Sequence, residues 1–400
     1  MHKINFAELN AISKNRPLVI FGAGHLCHKT LLKIPDSPIL IVDNSPNLWG
    51  TEQEGISINP PDRLKEYSLK PFVVICTTSF PEVIDQVHSL GYKEEADVCV
   101  TPLLNDWRTI EELQSHHASL LFTSGLSSSG TSSAKGGLYH LSSQGKGFDL
   151  THIIEGSAHG IIQKEDMIYL VEDNLGIIEL TSDFEISRSQ KLPTGSRPHG
   201  LAWSEKTESF YVPCSYLDQV LELNENLEVT RKIDISPKTM MQQGPHHHIN
   251  DCLAWGGSLF VSMFSVTGNW KKDIFDGGVV EFDILSGQRI GDFANGLWMP
   301  HNVANVDGSM AVLDSLPGHL LYGNLKTAGS FPGFSRGLAW NGDYFYIGQS
   351  RNRNFSAQIG VSKNISIDSG IVVFDSTTKL SKTLNLPDSI TEIHGILSIS

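Results

Sequence analysis

Four histidines occupy one place in a repeated phrase: His159-Gly160-Ile161, His199-Gly200-Leu201-Ala202-Trp203, His301-Asn302-Val303-Ala304 and His394-Gly395-Ile396-Leu397. Two more copies carry Asp251 and Arg336 there, in Asn250-Asp251-Cys252-Leu253-Ala254-Trp255 and Ser335-Arg336-Gly337-Leu338-Ala339-Trp340. Imidazoles, a carboxylate and a guanidinium brought to one cavity suit a transition metal with an anionic ligand beside it. Taken singly, each histidine reads better as a polar residue in a wet channel or as a turn residue before glycine. Their repetition gives them chemical weight.

Six copies of a phrase imply six copies of one supersecondary unit. After each opener come further short strands, such as Met167-Ile168-Tyr169-Leu170-Val171 and then Gly176-Ile177-Ile178-Glu179-Leu180. Four antiparallel strands per unit predict an all-β six-bladed β-propeller over residues 118–400. The last copy supplies only an opening strand, whereas Ser119-Leu120-Leu121-Phe122-Thr123 and the two strands after it have no opener. The two chain ends therefore complete one blade, which closes the ring and removes an exposed edge.

In a propeller the opening strands line the channel, so the six phrase residues face a common axis. Alternate blades then place His199, His301 and His394 at the corners of one triangle and His159, Asp251 and Arg336 at the other. Three histidines with an open position suit zinc, or iron or manganese with added oxygen ligands. This reading assigns His199, His301 and His394 to the metal, and Arg336, Asp251 and His159 to catalysis. His246, His247 and His248 surround the ring. At the ends of second strands, Glu172-Asp173, Asp314 and Arg351 can supply a base and an anion clamp, or simply satisfy turns. Tyr169 and Tyr216 are further candidates, and the low-complexity run Ser127 to Ser133 reads as a loop or linker.

Phrases such as Arg197-Pro198-His199-Gly200-Leu201-Ala202-Trp203 resemble six-bladed propellers of the NHL and senescence-marker type. Residues 244–255, Trp298-Met299-Pro300-His301-Asn302 and Phe331-Pro332-Gly333-Phe334-Ser335-Arg336-Gly337-Leu338-Ala339 resemble an uncharacterised bacterial propeller family, which implies a fold without an activity. A propeller lyase acting on peptidyl-hydroxyglycine is similar in holding zinc through histidines of alternate blades. That resemblance carries over to His199, His301 and His394 for the metal and to Arg336 for the charge. Senescence-marker lactonases, with a calcium-like ion on Glu and Asn, are echoed by Asn250-Asp251 and Asn302, but the histidines argue against an oxygen-only site.

The first hundred residues follow a different period. Pro17-Leu18-Val19-Ile20-Phe21 runs into Gly22-Ala23-Gly24, and a second strand ends on Asp43, the pattern of a Rossmann-like α/β domain over residues 1–105. Gly22, Gly24 and Asp43 are the candidate residues for NAD(H) or a nucleotide sugar, with Cys27 at the third glycine position. The alternative is an empty scaffold using its glycines for the turn. Gly22 to Gly24, Val42-Asp43 and Trp49-Gly50 resemble the small Rossmann-like domains that precede sugar-modifying modules in bacterial surface-glycan enzymes.

A formal charge of −14 over 400 residues, with no dense basic block, argues against nucleic acid and anionic membranes as partners. No apolar run is long enough to span a bilayer, and the start lacks the apolar core of a secretory signal, so the expected location is cytoplasmic. Five cysteines without metal or redox spacing predict no disulfide framework. The function expected is a metal-dependent lyase, hydrolase or isomerase acting on a small anionic or sugar-like molecule, within surface-polysaccharide metabolism. The alternative is a non-catalytic propeller scaffold or ligand-binding protein with a structural histidine ring and a protein partner.

Overall fold

A computed structural model describes residues 3–93, 96–126, 135–145, 147–238, 245–272, 274–351 and 365–399. Ser127 to Ser133 lie outside the described residues. The chain forms two compact units, Met1–Glu112 and Leu113–Ser400.

The first unit is an α/β structure. Leu18–Phe21 and Phe72–Ile75 are wholly apolar and buried, the composition of strands covered on both faces. They pair in parallel with each other, and Leu18–Phe21 also pairs in parallel with Leu40–Val42. A short antiparallel strand, Glu52–Gln53, makes the six-stranded sheet mixed. Gly22 turns at φ +104°, and a side chain there would come within 3.1 Å of the Cys76 carbonyl. The glycine is therefore required by the turn itself.

The second unit is a six-bladed β-propeller. Five four-stranded sheets lie within residues 158–190, 202–234, 249–297, 301–330 and 334–385, here called blades 1 to 5. Blade 6 joins Gly395–Ile399 to Ala118–Ser124, which continues into two further strands. In blade 1 the middle strand Gly176–Leu180 is buried throughout and the outermost, Ile186–Gln190, exposed throughout. That gradient is why the fourth strand of each unit reads as polar.

The inner hairpins fix the register of the openers. Ser204, Trp255 and Val306 pair with Ser209, Ser258 and Ser309, the first residues of their second strands. Counting back the same distance reaches Gly200, Asp251 and Asn302. One residue earlier stand His199, Asn250 and His301. Asp251 thus belongs to the glycine layer, which corrects its placement on the histidine ring. Matching Trp255 to Trp203 caused the slip, because Trp255 sits at its hairpin corner and Trp203 one residue before.

The glycine layer is where the openers crowd. A Cβ on Gly160 would lie 2.5 Å from Gly200 backbone, and one on Gly200 would lie 2.3 Å from Asp251 Oδ1. Asp251 and Asn302 fill the space that four glycines leave. Asn302 Nδ2 donates to Asp251 Oδ2 (3.3 Å) and to the His394 carbonyl (3.1 Å), while the Gly337 amide donates to Asn302 Oδ1 (2.7 Å). This layer forms a floor beneath the histidines.

Gly200→Ala should therefore cost on the order of 1–3 kcal/mol, the usual cost of overpacking. Gly291→Ala is the control, since its Cβ would meet nothing within 4 Å. Urea midpoints of the two variants should differ clearly; equal midpoints would contradict the crowding.

Asp251 also gives the floor a pH dependence. Burial pushes its carboxyl up to about 7, against the lowering effect of the Cys252 and Val303 amides and of Asn302. The folded state then holds a proton that the unfolded chain, titrating near about 4, has lost. Stability from this group should fall as pH rises from about 4 to about 7 and then level off. Asp251→Asn should flatten that slope and raise the urea midpoint at pH 8; an unchanged slope would place the titration elsewhere.

Candidate metal centre

Residues two apart on an extended chain face the same side. The positions two before each ring residue, Ser157, Arg197, His248, Met299, Phe334 and Glu392, all line one cavity of about 1040 Å³. At its base, from the ring layer, stand His159, His199, Arg336 and His394. The cavity belongs wholly to the propeller.

His159, His199 and His394 each offer a ring nitrogen lying within 4.8 Å of the other two. Their blades, 1, 2 and 6, are consecutive around the ring. The centroid of His159 lies 4.8 Å from that of His199 and 4.4 Å from that of His394. His159 Nδ1 and His199 Nε2 are buried with no hydrogen-bond partner among the described residues, while His394 Nε2 faces the Glu392 carboxylate 3.3 Å away. Burying such atoms unsatisfied is costly. Nitrogens bound tetrahedrally at about 2.0–2.1 Å would stand closer together than these, so the three rings would draw inward around an ion.

The surroundings keep His199 and His394 neutral. Burial, then neighbouring histidines, drives His199 well below its ordinary value. Burial and His159 push His394 down to about 3, against the opposing influence of Glu392. A neutral imidazole has a lone pair to give. For His159 the tautomer follows from its neighbours: Nε2 lies 3.3 Å from Asp173 Oδ1, which can only accept, leaving the lone pair on Nδ1. Burial acts to raise the Asp173 carboxyl, but His159, Ser157 and Arg197 hold it below its usual range. Gly125 lies against the third ring, and a Cβ there would be 2.5 Å from His394 Nε2.

His301 does not join this group, a correction to the alternate-blade triangle. Its Nδ1 is tied to its own blade, 2.9 Å from the Met299 carbonyl and 2.8 Å from Ser315 Oγ. Phe264 and Phe334 flank its ring edge-on. Neighbouring blades bring their imidazoles into contact, whereas an alternate-blade set must reach across the axis. His159, expected in the other triangle, bridges the two rings beside it.

Arg336 lies in the cavity, but its charge is engaged. Nη1 donates to Glu392 Oε2 at 3.1 Å, and the guanidinium sits 4.9 Å above the Phe334 ring. The same Glu392 oxygen is 3.3 Å from His394 Nε2. Glu392, absent from the sequence-based set, could have been found from its position two before His394. Asp251 faces a separate cavity of about 390 Å³.

Among the strand-end candidates, Glu172 accepts from the Ser157, Asn174 and Leu175 amides, and Asp314 from the Trp298 amide. Both hold turns. Arg351 donates through Nε to the Ile367 carbonyl. Tyr169 bonds Glu179, away from the channel, whereas Tyr216 lines the cavity and meets Arg197 at 2.5 Å. His247 bridges Ser236 Oγ and the Ser265 carbonyl, and the amides of His246, His247 and His248 converge on buried Asp218. Of these three histidines, His248 reaches the cavity.

In the N-terminal unit, Asp43 accepts from the Ala23 amide through Oδ2 and the Ser45 amide through Oδ1, both at 2.7 Å. It braces the turn formed by Gly22 and Gly24. Those bonds account for the acid and the first glycine without a ligand.

Residues 247–400 match a family described as a domain of unknown function (DUF4915). No curated protein matches. Among solved structures, a nidogen/laminin complex is similar at 12% identity, covering 70% of this chain and 97% of that one, with a TM-score of 0.48. Regucalcin, a calcium-binding protein from Agrobacterium tumefaciens, is similar at 11% identity over 58% of this chain and 75% of that one, with a TM-score of 0.42. Virginiamycin B lyase from Staphylococcus aureus is similar at 14% identity over 56% and 75%, with a TM-score of 0.38.

Proposed function

We propose that the propeller is a metal-dependent lyase, hydrolase or isomerase acting on an anionic or sugar-like substrate, with His159, His199 and His394 holding a zinc, iron or manganese ion. The observation that carries this reading is the convergence of three histidines, each with a ring nitrogen within 4.8 Å of the other two, in a place where His159 Nδ1 and His199 Nε2 are buried without a hydrogen-bond partner. When bound, the ion supplies Lewis acidity toward a substrate oxygen. Asp173 accepts a hydrogen bond from the Nε2–H of His159 and fixes that ring. Glu392 offsets the charge of Arg336 and lies against His394, so it sets the position of both. Arg197 and Lys191, on the wall above, attract the anion.

A non-catalytic scaffold would use the same ring as packing and would hold no metal. The Rossmann-like reading of the N-terminal unit rests on its central parallel strand and glycine turn. A nucleotide is left out of the proposal, because Asp43 is engaged by the Ala23 and Ser45 amides. Among the described residues no helix is long and apolar enough to cross a membrane. The link to surface-polysaccharide metabolism rests on the resemblance of residues 22–50 alone.

Elemental analysis and competitive zinc titration test the metal. His159→Ala, His199→Ala or His394→Ala should each weaken zinc binding more than Asp173→Ala, whose effect should be about 10- to 100-fold. Gly125→Ala should weaken it too, by displacing the His394 ring. His301→Ala should leave it near the parent value. Equal zinc in all variants, or a loss with His301→Ala matching that of the other three, would overturn the assignment.

A further inference from the structure

The cavity has two unlike walls, and the division falls between blades. Over blades 6, 1 and 2 the upper layer carries Glu392, Ser157 and Arg197, directly above the three clustered histidines, and Glu172, Asp173 and Lys191 extend this side. Over blades 3, 4 and 5 it carries His248, Met299 and Phe334, and Phe264, Trp270 and Phe275 extend that side. Phe264, Met299 and Phe334 form one buried cluster with Leu316, against which Trp270 and Phe275 pack. In a ring of six, blades 1 and 2 stand across the axis from blades 4 and 5. A charged wall above the imidazoles therefore faces an aromatic wall.

Size points the same way. A metal ion and a small hydrophilic acid would occupy a minor part of about 1040 Å³, a volume typical of sites for drug-sized ligands. A wholly polar ligand filling the rest would lay its hydroxyls against Phe264, Phe275 and Phe334, losing water contacts without gaining partners. An apolar group there would instead be favoured by its removal from water. Trp270 and Phe275 are half-buried, so apolar surface is open to such a group.

We propose that the substrate is an amphipathic oxyanion: a carboxylate or comparable acidic head that reaches the His159, His199 and His394 side, joined to a bulky ring-bearing apolar group that lies against Trp270 and Phe275. This rests on the metal reading and narrows its substrate from anionic or sugar-like molecules in general to those carrying an apolar body. Head and body are recognised on opposite walls. Changes to one wall should therefore affect one part of the ligand.

The full-length protein is loaded with zinc, its metal content is measured, and acetate, 2-naphthylacetate and the uncharged 2-naphthylethanol are titrated in calorimetrically. 2-Naphthylacetate should bind at least about tenfold more tightly than acetate, as burial of a ring system requires, and more tightly than the alcohol. Trp270→Ala and Phe275→Ala should each weaken 2-naphthylacetate severalfold while leaving zinc content and acetate binding unchanged. In zinc-loaded protein, equal affinity for acetate and 2-naphthylacetate, or indifference of 2-naphthylacetate to both variants, would overturn the amphipathic assignment and leave the metal standing. Failure to take up zinc would overturn the metal reading itself, and this inference with it.

Discussion

Six opening strands meet around one axis, and steric crowding there organises the rest of the propeller. Where adjacent backbones approach most closely, Gly160, Gly200, Gly337 and Gly395 leave no room for a Cβ. In blades 3 and 4 that space is taken by Asp251 and Asn302, which bond each other across the gap. The layer immediately above must hold side chains pointing at a floor they cannot pass. The histidines occupy that layer, and the side chains two residues earlier form the walls over them. Floor, ring and walls are consequences of one packing constraint applied at successive positions of the opening strands and the segments that lead into them.

Burial then decides what the ring can do. His199 and His394 are held neutral there, because charging them would require solvation that the packed axis withholds. His301 is neutral for the same reason, with burial driving it well below its ordinary value and Arg336 and His394 adding to the effect. The difference between His301 and the three clustered histidines is directional. His301 spends Nδ1 on its own blade and sits between Phe264 and Phe334, so its unpartnered Nε2 stands apart, whereas His159, His199 and His394 each bring a ring nitrogen within 4.8 Å of the other two. Asp173 supplies an anionic contact that orients the His159 ring through its other nitrogen, a role that carboxylates commonly play behind metal-binding histidines, whereas Glu392 stands 3.3 Å from His394 Nε2 itself.

Much of the fold is legible in the sequence, because the phrase repeats and its strands alternate with period two. The six openers, the split blade and the change from α/β to all-β at the end of the first unit can be read from that pattern. The side-chain partnerships of the site cannot. Aligning Trp255 with Trp203 moves Asp251 by one residue, and with period-two geometry one residue is the difference between ring and floor. The preference for alternate blades treated the ring as symmetric, although Phe264 and Phe334 occupy the approach to His301 and nothing comparable separates His159 from His394. Arg336 reads as a cation in sequence, yet its charge is met by Glu392 from the neighbouring blade, a contact between residues far apart in the chain. In the N-terminal unit the glycine turn is legible, but the amides that Asp43 accepts depend on how the turn closes.

The most direct measurement of the metal assignment is an anomalous difference map from crystals of the full chain grown with zinc and recorded on both sides of the zinc absorption edge. The account predicts one strong peak among the rings of His159, His199 and His394, on the side of the axis overlooked by Arg197 and Glu392. A peak beside His301, or a fully occupied zinc elsewhere with none among those three rings, would contradict it.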